Sequence, residues 1–232
     1  MPLRPEHDRD PRLQSRPREL PLTLRLALLA IGVATPTFAE PGLEWAVRGG
    51  GSGKDSAQTI TADAAGNVFI AGHFNAVTSL GSTSLTNSGT TDAFVAKLDP
   101  VTLAPAWAVR MGGPAADEGH GIAADSTGDI VAVGLFNQTT TGVAALVANG
   151  KAASDAFVLK LGADGTNQFA HAYGDGSTQT ADRVVINRIG AGPVKDLVEF
   201  AGFDTGTIDF GMAAGAVTWV GGNSYLVLAA LQ

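Results

Sequence analysis

Asp92-Ala93-Phe94-Val95-Ala96-Lys97-Leu98 returns in the same chain as Asp155-Ala156-Phe157-Val158-Leu159-Lys160-Leu161. Other stretches recur around this pair. Trp45-Ala46-Val47-Arg48-Gly49-Gly50 reads Trp107-Ala108-Val109-Arg110-Met111-Gly112-Gly113 in the next copy, the two tryptophans lying 62 positions apart. The stretch Ile60-Thr61-Ala62-Asp63 through Gly66-Asn67-Val68 returns at the same interval, as Ile122-Ala123-Ala124-Asp125 through Gly128-Asp129-Ile130. A period of that size in a β-rich chain points to an array of like supersecondary units, each unable to bury its own apolar face.

Each full copy predicts four strands. In the first they cover 58–62, 68–74, 93–98 and 106–110, short runs rich in β-branched or aromatic residues and bounded by Gly, Pro, Asn or Asp. The turn Asp63-Ala64-Ala65-Gly66-Asn67 has a mechanical cause. An Asp bonds its own backbone two residues on, and Gly supplies the positive φ that a short hairpin connection needs. Gly162-Ala163-Asp164-Gly165-Thr166-Asn167 is chemically similar. The third copy is degenerate: segments 183–187, 196–203 and 225–231 replace the first three strands, and no fourth follows. About twenty residues separate the second and third strands of each copy, a length uncommon for a structureless connection. Leu85, Val147 and Val217 mark a short extra strand there.

Asp-Ala-Phe-Val-x-Lys-Leu, the Gly121-Ile122-Ala123-Ala124-Asp125-Ser126-Thr127-Gly128-Asp129 segment and Trp-Ala-x-x-x-Gly-Gly together resemble the bacterial β-propeller repeat known as the SBBP repeat. The stretch 203–211 resembles its Gly-rich version in exported and surface proteins. The resemblance covers roughly residues 43–232, strongly in two copies and weakly in the third. It implies an all-β, β-propeller-like fold of about three four-stranded blades around an axis, and it carries no shared catalytic residues. With Gln58 opening the first blade, segment 44–48 is an outer strand with no blade before it, and 225–231 is a third strand with no fourth after it. The N-terminal strand is therefore placed to complete the last blade and leave no open edge. Propellers usually need four to eight blades. Three expectations follow: a fragment of a longer protein, self-association that completes a ring, or packing in an open arc or a β-prism-like arrangement.

Residues 1–39 read as an N-terminal extension and secretory signal peptide: a basic stretch, an apolar run from Leu22 to Ala34, and a small-x-small end with cleavage after Ala39. The plainer alternatives are an uncleaved anchor, although the apolar run is short for a membrane span, or a mispredicted start codon upstream of a normal signal. Residues 40–232 form the repeat domain. The leader holds six Arg and four acids, so of the total charge of −7 the remainder carries −9. An acidic body lacks the patch that neutralises phosphates, which argues against nucleic acid and anionic membrane as partners. With no Cys there are no disulfides or thiolate metal sites.

Candidate sites are few. Segment 48–56 suggests a P-loop, but Arg48 stands at the first Gly position and Asp55 at the Ser/Thr position, where it would repel phosphate. A turn between blades is the better account. The recurring acids Asp55/Asp117, Asp63/Asp125 and Asp92/Asp155 suggest calcium, with Asp63 and Asp125 first, yet no D-x-[DN]-x-[DN]-G loop gathers six oxygens and turn capping explains the recurrence. His73, His120 and His171 fall at non-equivalent repeat positions, so they are read as local hydrogen-bonding residues rather than zinc ligands. Trp45, Trp107 and Phe169 share one outer-strand position, which suits packing between blades over stacking on sugars. No catalytic, cofactor-binding or metal residue is assigned. The expected function is a non-enzymatic, exported surface or periplasmic binding or scaffolding module with a protein or glycan partner. The alternatives are a ligand receptor, hydrolase or lyase with a loop-built site at one mouth, and a fragment of a larger surface protein.

Overall fold

The repeat unit becomes a four-stranded antiparallel meander, twice in full. The computed structural model describes residues 46, 48–149, 153–189, 195–205 and 225–231. The leader expected over 1–39, Trp45, and the extra strand expected at Val217 lie outside the described residues; of the strand expected over 44–48, Ala46 and Arg48 are described and belong to no strand, the first strand beginning at Gly49. Within them the chain is all-β: β1 (Gly49–Gly51), β2 (Asp55–Ala62), β3 (Val68–Phe74), β4 (Thr78–Leu80), β5 (Thr83–Leu85), β6 (Asp92–Leu98), β7 (Pro105–Gly112) and β8 (Glu118–Ala124). There follow β9 (Ile130–Phe136), β10 (Thr141–Gly142), β11 (Asp155–Leu161), β12 (Asn167–Tyr173), β13 (Gln179–Ile189), β14 (Lys195–Asp204) and β15 (Tyr225–Leu231).

The first sheet runs β10-β7-β6-β3-β2, the second β12-β11-β9-β8 and the third β13-β14-β15. A fourth, small sheet has the order β1-β4-β5. The expected extra strand of the first copy is thus a hairpin, β4–β5, and not a single strand. In the second copy it is β10, which pairs with β7 of the preceding sheet, together with an isolated bridge between Thr139 and Val147. Both insertions reach the strand end that leads into their own copy. Gly50 faces Ser79 in the first, and Gly112 faces Thr141, 62 positions on, in the second.

Each first strand carries a bulge at the same point of the repeat. The register slips between Ala57 and Thr59, between Gly119 and Gly121, and between Ala181 and Arg183. Opposite each bulge stands a glycine, and the reason is steric. A Cβ on Gly72, Gly134 or Gly202 would lie 1.9, 1.9 and 1.8 Å from the carbonyl oxygens of Ser56, Glu118 and Thr180. Only glycine lets the carbonyl beside the bulge approach.

The sheets stack face to face through apolar layers. Phe69, Ala71, Val95 and Met111 of the first sheet meet Ile122, Ile130, Ala132, Phe157 and Leu159 of the second. On the second sheet's other face, Val131, Val133, Val158 and Tyr173 meet Ala181, Val184, Val198 and Phe200 of the third. Period-2 alternation sends successive side chains of one strand to opposite layers, so β9 and β11 are buried on both faces. Each fully buried large side chain, such as Phe69 or Phe157, contributes about 1.5–3 kcal/mol through the area it removes from water.

Candidate functional site

Recurring carboxylates hold the hairpin turns. Asp63 Oδ1 accepts the backbone N–H of Ala65 and of Asn67, both at 2.9 Å, and its Oδ2 accepts the Asn67 amide at 2.7 Å. Asp125 Oδ1 accepts the N–H of Thr127 (2.8 Å) and Asp129 (3.0 Å) and the Thr127 hydroxyl (2.7 Å). Its Oδ2 lies 3.3 Å from the Lys160 ammonium. Burial pushes the Asp125 carboxyl up, but Thr127 and Lys160 outweigh it and hold the group below the usual range. Asp164 is engaged in the same way by the hydroxyl and N–H of Thr166, which hold it low. Gly66, Gly128 and Gly165 follow with φ of 84°, 87° and 85°, the left-handed region the turn requires. Asp63 and Asp125, the residues expected to contribute to a calcium site, are each engaged by their own turns. Among the described residues, no group of three or more His, Asp or Glu is placed to hold a metal ion.

A second set of acids sits where the fourth strand leaves a sheet. Asp92 and Asp155 open β6 and β11 and are wholly buried. A Cβ on Gly112 or Gly174 would come 2.4 Å from the carboxyl carbon of Asp92 or Asp155. The glycine closing each outer strand therefore makes room for a buried carboxylate. Asp92 accepts the Ser88 N–H at 2.9 Å and pairs with Arg110. Asp155 accepts the Asn149 N–H at 2.8 Å, and Ala172 stands where Arg110 would be. Burial pushes the Asp155 carboxyl up; the Asn149 N–H opposes this and the charge of Asp175 adds to it.

Asp117, also wholly buried, ties the next crossing. It accepts the N–H of Gly113 at 2.8 Å and of Asn137 at 3.0 Å. Burial raises it to about 6 against those two hydrogen bonds, with Asp92 adding to the rise and Arg110 reducing it. Asp55, its counterpart, accepts the Gly51 N–H at 2.7 Å. The glycine-rich segment before it is thus a loop folded onto its own carboxylate, which takes a backbone donor that a bound phosphate would need.

The bulges bring together residues that the sequence did not. Gln58, His120 and Asp182 are the extra residues of the three bulges and are spaced 62 apart. His120 Nδ1 lies 3.0 Å from Asp182 Oδ1, and its Nε2 lies 3.2 Å from Glu118 Oε2. His73 Nδ1 approaches the same Glu118 oxygen at 3.7 Å, and the Thr180 hydroxyl donates to Asp182 at 3.0 Å. The result is an alternating line of imidazole and carboxylate linking β3, β8 and β13. His171 is apart from it, exposed on β12 with its ring 5.2 Å from Phe169 and 6.2 Å from Tyr173. The common spacing of Gln58, His120 and Asp182 was the available signal. Their unlike chemistry hid it.

The aromatic position is a packing position. Trp107 Nε1 donates to the Ala163 carbonyl at 3.0 Å, and its ring covers Gly165, where a Cβ would come within 2.8 Å. The Lys97 ammonium donates to the same carbonyl at 3.3 Å and lies 5.4 Å from the centre of the Phe69 ring. Phe169 packs against the layer between the second and third sheets. Trp45 lies outside the described residues. No family model matches the sequence, and no curated protein matches it.

Proposed function

We propose that the chain is an exported repeat protein of the SBBP β-propeller type, its stacked sheets being successive blades, and that it works as a non-enzymatic surface or periplasmic binding or scaffolding module. One observation carries this reading: the acids that recur with the repeat are bound to the backbone of their own turns and crossings. They are retained because they build the unit. The reading invokes no cofactor. It assigns a protein or glycan partner over a nucleic acid, because the repeat domain carries −9. Titration of the purified protein against a glycan array and against cell-envelope extracts tests it. Saturable binding without turnover is the expected result, and turnover of any hydrolase or lyase substrate overturns it.

A second reading has its own observation. The line His73–Glu118–His120–Asp182 favours a receptor or enzyme that takes a polar ligand along the first strands of the blades. His120→Ala separates the two. Binding or turnover lost in this variant, with folding intact, selects the second reading.

A further inference from the structure

Among the described residues, nothing packs on the interface residues of the back face of β2. Side chains on this face are Ala57, Ile60 and Ala62, all exposed, with Ile60 66% exposed. The repeat places Gly119, Ile122 and Ala124 at the same points of β8, and Ala181, Val184 and Ile186 at those of β13. In both later copies the central residue is buried against the preceding sheet, Ile122 to 6% and Val184 to 8%. At the other end of the stack Val185 is 56% exposed, although its counterpart Ala123 is packed into the layer facing the next sheet. The stack thus ends in the two unlike halves of a contact it makes twice inside itself.

β1 extends the parallel. Its pairing to β4 has the register of β7 to β10, so it lies where the tail of a preceding sheet's fourth strand would lie. The third sheet has three strands among the described residues and no fourth.

We infer that the back face of the first sheet is the docking surface for the third sheet of a second copy of this chain, in a head-to-tail pair with two equivalent contacts. Two copies of three sheets give six, within the range at which propellers close, and a heterologous contact that closes makes a ring rather than a filament. Glu199 stands on the third sheet where Phe69 and Val131 stand on the others, so this contact is weaker than the internal ones. The inference rests on the blade reading proposed above.

The test is sedimentation equilibrium of the purified protein and four variants. The wild type is expected to form a concentration-dependent dimer. Ile60→Asp and Val185→Asp, both at exposed positions, each weaken it at least 100-fold without changing the β-sheet circular dichroism, and Glu199→Val strengthens it. A wild-type monomer at about 100 μM overturns the inference. So does a dimer indifferent to Ile60→Asp, which places the partner elsewhere, or one lost in Ile60→Asp but intact in Val185→Asp, which makes the contact isologous. Ile122→Asp keeps the two readings distinct. If it unfolds while the wild type is monomeric, the stacked-blade reading stands and only the second copy is rejected. If it folds normally, the stacking itself is wrong.

Discussion

Arg110→Ala tests whether the buried carboxylate at the head of β6 depends on its cation. The Asp92 side chain is wholly inaccessible and that of Arg110 is 19% exposed. Besides Asp92, the guanidinium donates to the Ser88 hydroxyl at 2.8 Å, the Gly112 carbonyl at 3.2 Å and the Thr141 hydroxyl at 3.0 Å. It therefore ties β6, β7 and β10 together at one end of the first sheet. Removing one partner of a buried pair destabilises by roughly 3–5 kcal/mol, because the other charge stays desolvated. Arg110 keeps some contact with solvent, so the lower end of that range applies. At roughly 2–4 °C per kcal/mol for a body of this size, the thermal midpoint falls by about 6–12 °C.

The second copy qualifies this figure. It already carries the truncated arrangement, with Ala172 in place of Arg110 and an Asp155 whose carboxyl is pushed up by burial. A carboxyl group is far less costly to bury neutral than ionised. The Arg110→Ala loss is therefore expected at the lower end of that range. Urea denaturation of wild type, Arg110→Ala, Asp92→Asn and the double variant gives the coupling directly, with about 2 kcal/mol or more expected for groups in one network. A loss under about 1 kcal/mol for Arg110→Ala, or additive single effects, refutes the reasoning.

Other outcomes follow from the same geometry. Asp117 has a carboxyl raised from 3.8 to about 6, so its contribution to stability is complete below the unfolded value and lost as pH rises through the folded one. The effect is on the order of 2–3 kcal/mol, and Asp155 shifts in the same direction. Stability should fall from about pH 4 to 6, and Asp117→Asn should flatten that slope; equal slopes in the two proteins would sink the argument. Gly134→Ala would push a methyl group to within 1.9 Å of the Glu118 carbonyl oxygen; loss of the cooperative melt is expected, and a wild-type melt would mean that this carbonyl does not approach Gly134. Trp107→Phe removes the donor to Ala163 and part of the ring over Gly165 and should lower stability by about 1–2 kcal/mol, whereas Trp107→Ala, at a half-buried position, should lower it by about 3 kcal/mol. Equal losses in denaturant titrations would show that the indole ring does not pack between the sheets.

What the sequence disclosed and what it hid have one physical basis. Hydrophobic runs and turn residues act locally, so their signals lie within a few residues: Val68–Phe74 and Tyr225–Leu231 are strands over the limits their composition predicts. The Asp-x-x-Gly turns were legible for the same reason, since donor and acceptor are at most four residues apart. The β4–β5 hairpin is less legible because its strands have three residues each, too few to show a period, and β4 is completed by β1, more than twenty residues away. The inner-strand line needed more still. Glu118, His120, His73 and Asp182 come from three strands of three sheets, and a bulge turns each first strand by one residue at the point where they meet. The glycines at 72, 134 and 202 are plain in the sequence, but they record only that something must come close. That the close atom is a carbonyl beside a bulge is a fact about register. It is also why a strict 62-residue spacing could put Gln58, His120 and Asp182 in the same place with three different chemistries. The bulge fixes their position through the backbone, which leaves the side chains free to vary. Polar chemistry that differs between copies is therefore held by the most constant part of the unit.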